Sequence, residues 1–217
     1  MLVEQIMKTQ VITCKPTETI ESALKLLNDH HIRHIPIVDE SNQVIGIVSD
    51  RDVRDASPSI FHIHQDNDEN ELQNELRSIM STPVTTIHPL DFVEEIASIF
   101  YEQEIACLPV TKANKLVGIV TEKDMLYTLI QLTGVNVQSS QIELKVINKP
   151  GILPEVTAVL GRRKVNITSV LIYPYEPDQR YKILVFRLQT MNPMPIIEDL
   201  HAEGYEVLWP NMPGIEK

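Results

Sequence analysis

Gly46-Ile47-Val48-Ser49-Asp50-Arg51-Asp52 returns 72 residues later as Gly118-Ile119-Val120-Thr121-Glu122-Lys123-Asp124. Each copy is glycine, two β-branched apolar residues, a hydroxyl residue, two variable residues and an aspartate. This is the pattern of a buried strand feeding a helix whose first turn carries Ser/Thr and Asp. A helix start offers backbone N–H groups and the positive end of a dipole, which suit a phosphate, and the aspartate can accept the two hydroxyls of a ribose. The same residues also suit a plainer role: Ser49-x-x-Asp52 and Thr121-x-x-Asp124 are helix caps that need no ligand.

Working outward, the duplication extends in both directions. Ile6-Met7 matches Ile79-Met80, Pro16 matches Pro89 and Pro36 matches Pro109, all at a spacing of 73, so one residue is lost before Gly118. Between these anchors each copy predicts a helix with one apolar face: Ile20, Ala23, Leu24 and Leu27 in the first, Val93, Ile96, Ala97 and Phe100 in the second. Asp91-x-x-Glu94 reads as a capping box for the second helix. Proline-containing strands follow (Ile35 to Val38; Leu108 to Val110), then polar turns, the strands Val44 to Val48 and Leu116 to Val120, and the motif helices. Each β-α-β-β-α unit of about 55 residues is too small to bury much core alone, so the two are expected to pair about a pseudo-twofold.

These residues resemble CBS motifs, which occur in pairs as Bateman modules. The resemblance implies an adenosine compound (AMP, ADP, ATP or S-adenosylmethionine) in the cleft between the motifs. It makes Ser49 and Thr121 phosphate contacts and Asp52 and Asp124 ribose contacts. Ile12, Thr13, Val84 and Thr85 would flank adenine at the ends of the first strands, beside Pro36 and Pro109. Arg33-His34 precedes one proline strand where Ala106-Cys107 precedes the other, so the two sites are expected to be unequal. Arg33, His34, Arg51 and Lys123 are the cations available to offset an anionic tail; Arg33 and His34 can also be read as solvated surface residues.

From Gln141 the pattern becomes β-α-β-β-α-β, the ferredoxin-like order. Ile142, Leu144 and Val146 alternate in a strand; Leu153, Val156, Val159 and Leu160 mark a helix; Tyr181 to Gln189 is a strand; Met194 to Glu203 is a helix closed by Gly204. The run Asn148-Lys149-Pro150-Gly151-Ile152-Leu153, with Val165-Asn166-Ile167 beyond it, is similar to ACT domains, which often place a small amino acid near this turn. That resemblance makes Asn148, Gly151, Ile152, Leu153, Asn166 and Ile167 ligand candidates, although Asn148 stands where many members have aspartate. A dimerisation sheet with no ligand is the other reading.

The expected organisation is therefore an α+β or α/β chain with a first CBS motif at 1–57, an acidic linker at 58–74, a second motif at 75–135 and an ACT domain at 140–217. In the linker, Asp66 opens an acidic run, but the sixth and twelfth positions of a calcium loop would be Glu71 and Arg77, and His62-x-His64 has no further ligand at a suitable spacing. No metal is expected.

A net charge of −11 disfavours nucleic acid or an anionic membrane as partner. Cys14 and Cys107 match no metal or redox spacing and fit buried thiols in a reducing, cytoplasmic setting. His30-His31, at the end of the first helix, suits its negative dipole end. No Ser-His-Asp set or G-x-x-x-x-G-K loop is present, so no catalysis and no catalytic cofactor is expected. The order CBS-CBS-ACT resembles the acetoin-utilisation proteins. That implies a homodimeric regulator in acetoin and butanediol catabolism, acting on an enzyme of acetoin or acetate metabolism. The competing readings are a dimeric scaffold with vestigial pockets, and an amino-acid-responsive regulator working through the ACT domain.

Overall fold

A computed structural model describes residues 1–56 and 71–210. The acidic run from Asp66, the His62-x-His64 pair and most of the expected linker lie outside the described residues. The chain divides into two compact units, Met1–Leu126 and Tyr127–Lys217.

In the first unit each repeat contributes a helix, a β-hairpin and a second helix. The first has α1 (Ile20–His30), β1 (His34–Val38), β2 (Val44–Ser49) and α2 (Asp50–Asp55); the second has α3 (Val93–Gln103), β3 (Cys107–Lys112), β4 (Lys115–Thr121) and α4 (Glu122–Thr133), which crosses the boundary between the units. The expected apolar faces are the buried ones: Ile20, Ala23 and Leu27 of α1, and Val93, Ile96 and Phe100 of α3. Thr19 caps α1 by accepting from Ser22 N. The capping box expected at Asp91 does not form. Helix α3 begins only at Val93, so Glu94 falls in its first turn rather than at the third position, and the Asp91 carboxylate instead accepts from His88 N at 2.7 Å.

The expected first strand of each repeat shrinks to a single parallel bridge, Cys14 to Ile37 and Ile87 to Val110. Proline explains the arrangement. Cys14 N donates to Pro36 O and Val38 N to Cys14 O, while Ile47, opposite Pro36, sends both its backbone groups the other way, to Ser81. Pro36 thus sits where no N–H is required. Pro109 repeats this with Ile87, Ile119 and Lys8. Both prolines are buried strand residues held by this pairing.

Those bridges reveal an exchange. The segment that opens each repeat packs on the other one. Val3 is buried in the cluster of Ile87, Ile96, Phe100, Leu108 and Val120, with Ile6 and Met7 against it; Leu76 is buried among Cys14, Ile20, Leu27, Ile35 and Val48, with Ile79 and Met80 against it. The motif glycines permit the contact. A Cβ on Gly46 would lie 2.5 Å from Met80 Sδ, and one on Gly118 would lie 2.7 Å from Met7 Sδ and 3.1 Å from Lys8 O. The Ile-Met and Gly anchors recur together because each Met fills the notch left by the other repeat's glycine.

The second unit is a four-stranded antiparallel sheet of order β6-β7-β5-β8, built from β5 (Ser140–Ile147), β6 (Ile167–Pro174), β7 (Tyr181–Leu188) and β8 (Glu206–Trp209). Helices α5 (Ile152–Arg162) and α6 (Met194–Ala202) share a core with one sheet face, through Ile142, Leu144 and Val146, Val156 and Leu160, Leu184 and Phe186, and Ile197 and Leu200. This is the expected ferredoxin-like order, and Gly204 closes α6 with φ +83°.

Candidate functional site: a cavity shared by the two repeats

The strand-to-helix corner at the end of β4 opens onto a cavity of about 620 Å³. Its other wall comes from the first repeat: Val11 and Ile12 from the extended segment before α1, and His31, Ile32, Arg33 and His34 from the turn joining α1 to β1. Lys8, from the exchanged N-terminal segment, completes the rim. Thr121, Glu122 and Lys123 face them. The walls are apolar (Val11, Ile12, Ile32, Ala106, Ile119) and the polar rim carries three basic side chains, two histidines and one glutamate. An apolar cavity that also carries basic side chains suits a heteroaromatic base attached to an anion.

Of the predicted site residues, Ile12, Arg33, His34, Thr121 and Lys123 line this cavity. Thr13, Ser49, Arg51, Asp52, Val84, Thr85 and Asp124 do not, nor do the strand prolines. The equivalence of the repeats also shifts by one residue near the first strands. Cys14 and Ile87 hold matching bridges 73 residues apart, so the counterpart of Ile12 is Thr85, not Val84. Thr85 donates to Gln103 Oε1 at 2.7 Å.

The motif aspartates act as caps. Asp52 Oδ2 accepts from Ser49 N and Ser49 Oγ, both at 2.7 Å, and Asp52 N donates back to Ser49 Oγ. Asp124 Oδ2 accepts from Thr121 N at 2.9 Å and Thr121 Oγ1 at 2.5 Å, while Lys8 Nζ lies 3.0 Å from Asp124 Oδ1. The first-turn amides are partly engaged as well: Glu122 N donates to Ala106 O and Asp124 N to Thr121 Oγ1. The corner therefore has fewer open N–H groups than a bare helix start, and the rim cations carry more of any anion binding.

Burial pulls the Asp124 carboxyl upward, but the Thr121 and Lys8 contacts outweigh it and hold the group below the usual carboxylate range. Burial lowers His34 despite the opposing pull of Asp52, so the ring is neutral at neutral pH. Burial pushes Cys14 and Cys107 up to about 12, which keeps both as unreactive thiols. Among the described residues no cluster of three or more His, Cys, Asp or Glu could hold a metal ion. No helix among them is long and apolar enough to cross a membrane.

Sequence reasoning did not single out Lys8, Gln10, Ile32, Ile119 or Glu122 as site residues. Lys8 follows the Ile6-Met7 anchor directly, but its proximity to Asp124 depends on the exchange of opening segments.

At the turn between β5 and α5 the ligand candidates have structural occupations. Ile152 is buried, and Leu153 and Ile167 pack against the same core. Asn148 N donates to Arg180 O, and Asn166 Nδ2 donates to Gln189 Oε1 at 3.2 Å. Gly151 caps α5 with φ +83°, a left-handed conformation that calls for glycine whether or not a ligand is present.

A CBS domain family model matches residues 3–59 and 76–131. The chain belongs to the CBS-domain family. An ACT domain model matches residues 140–204, so the CBS pair is followed by an ACT domain, and both are regulatory rather than catalytic domain types. A CBS domain-containing protein of Dictyostelium discoideum is 34% identical over 61% of this chain and 93% of its own length. A homoserine O-acetyltransferase of Methanococcus vannielii is equally similar, but only over 25% of its length, so the likeness is confined to a shared CBS region. Among solved structures, a Vibrio cholerae protein named for acetoin utilization (AcuB) is 32% identical, with a TM-score of 0.54 over 63% of this chain and 95% of that one. The CBS pair of MJ0100, solved with 5'-methylthioadenosine and S-adenosyl-L-methionine, is 29% identical, with a TM-score of 0.51 over 59% of this chain and 95% of that one.

Proposed function

We propose that the CBS pair binds an adenosine compound in the cavity between Ile12 and Thr121, and that the chain acts as a regulator with no reaction of its own. The observation that carries this reading is the joining of an apolar slot from one repeat, a cationic rim and the hydroxyl-bearing corner of the other repeat in one cavity. In this reading Ile12 and Ile32 hold the base. Thr121, Lys123 and Arg33 meet the phosphate, and Asp124 takes the ribose hydroxyls once Lys8 moves aside. The adenosine ligands of the MJ0100 pair support the ligand class.

The likeness to AcuB, named for acetoin utilization, supports a role in acetoin use; butanediol catabolism, an enzyme partner and a cytoplasmic setting extend that reading. In this reading the ACT domain adds a dimerising sheet. Ligand binding would favour one packing of the repeats and change a partner's affinity by about 5- to 150-fold, the usual range of allosteric coupling.

Titration calorimetry with AMP, ADP, ATP and S-adenosylmethionine tests the proposal. Heat and a raised melting temperature with at least one of them, weakened by Asp124→Ala, are expected. The absence of both with all four would leave a scaffold whose pockets are vestigial.

A further inference from the structure

We infer that helix α4 carries ligand occupancy of the cavity to strand β6 of the second unit; this rests on the adenosine reading above. Helix α4 runs without a break across the boundary at Leu126. Its twelve residues make a rod about 18 Å long. Each end of the rod is held within its own unit. At the first end, Thr121, Glu122, Lys123 and Leu126 line the cavity, and Thr121 and Asp124 bond each other across the opening turn. A ribose that takes Asp124 breaks this cap and puts ligand groups in its place, so binding remakes the start of α4 itself.

At the other end, Ser169 Oγ of β6 donates to Thr133 O, the last carbonyl of α4, at 2.7 Å. Gly134 follows at φ +66° and lies so near β6 that a Cβ on it would be 2.5 Å from Thr168 Cγ2. Arg187 of β7 donates to Ser139 Oγ at 3.3 Å and to Gln141 Oε1 at 2.7 Å, which fastens the segment between α4 and β5. The end of the helix is thus packed into the sheet rather than hung on a free tether. The equivalent helix of the first repeat gives the comparison: α2 has six residues and, among the described residues, contributes none to the cavity. The cavity and the extension into the second unit fall on the same helix. A helix is stiff, so a change at its first turn reaches its last as a shift instead of being absorbed on the way. The receiving strand is compliant. β6 is an edge strand paired only with β7, and Val170, Leu171, Ile172 and Tyr173 are exposed along it. By reciprocity, whatever holds β6 in place must also change the affinity of the cavity.

The test is amide hydrogen exchange of the full chain with AMP, ADP, ATP and S-adenosylmethionine, each at saturation, beside calorimetry with the same four. The expected result is slower exchange in α4 and in β6 with every one that binds, by about fivefold or more at β6, the lower end of the usual coupling range. Three glycines inserted between Leu126 and Tyr127 break the rod and leave the anchoring contacts of both ends in place. This insertion should keep the calorimetric affinity and abolish the effect at β6. Ser169→Ala removes the anchor on Thr133 without touching the helix, and should shrink the effect at β6 at unchanged affinity even if the insertion prevents folding. Slowing confined to residues 1–126, or an effect at β6 that persists undiminished in either variant, overturns this inference while leaving the adenosine reading intact. No binding by any of the four overturns both.

Discussion

Lys8 Nζ lies 3.0 Å from Asp124 Oδ1, across the junction between the opening segment of one repeat and the motif helix of the other. The lysine is 59% exposed and the aspartate only 15%, so a solvated cation guards a mostly covered carboxylate. Its counterpart is Ser81, and no lysine approaches Asp52 among the described residues. A ribose that uses Asp124 must first release this ammonium. Exposed ion pairs are worth about 0.2–1 kcal/mol, so Lys8→Met should tighten binding of uncharged adenosine by about 1.5- to 5-fold. Weaker adenosine binding by this variant would show that Lys8 holds the ligand rather than competing with it.

Gly118 faces Met7 Sδ and the carbonyl of Lys8, whereas the three atoms nearest a Cβ on Gly46 all belong to the Met80 side chain. A methyl group at position 118 must move backbone, and one at position 46 can be met by a rotamer change. Gly118→Ala should therefore cost about 1–3 kcal/mol in urea unfolding, and Gly46→Ala less. Equal losses would indicate that the exchanged N-terminal segment is loosely held. Met7→Ala combined with Gly118→Ala should recover part of the loss.

Burial holds His34 below the ordinary imidazole value of about 6.5. The unfolded chain therefore takes up a proton more readily than the folded one. The stability this histidine contributes is full above about pH 6.5 and is lost as the pH falls below it. His34→Cys, which installs the residue of the other repeat, should flatten that part of the profile. Urea midpoints at about pH 7.5 and about pH 5.5 should fall further apart in the parent than in the variant. Equal falls would contradict the assignment.

Cys14 and Cys107 are both buried, with thiols pushed up to about 12. Neither should react with a thiol-specific disulfide reagent near neutral pH in the folded chain, and both should react in denaturant. Rapid labelling of Cys107 under native conditions would show that the β3 end of the second repeat opens.

Much of this architecture was legible in the sequence. The apolar faces of α1 and α3 repeat at helical spacing, and the alternating strands of the second unit give its order directly. What spacing could not reveal was partnership. Ile6-Met7 and Gly118 are far apart in the chain and conserve their relation only through the exchange of segments. Pro36 and Pro109, expected beside a ligand, mark places in a strand where an N–H would have no acceptor. The motif residues were legible as either caps or ligand contacts. Ser49 with Asp52 and Thr121 with Asp124 are caps, and Lys8, invisible to the motif, adds the charge that separates one corner from the other.

The most direct test is a crystal structure of the full chain grown with saturating ADP. The account predicts adenine between Ile12 and Ile32, ribose hydroxyls on Asp124 with Lys8 displaced, and phosphates at Thr121, Arg33 and Lys123. ADP seated elsewhere, or ADP bound with the Lys8–Asp124 pair unbroken, would contradict it.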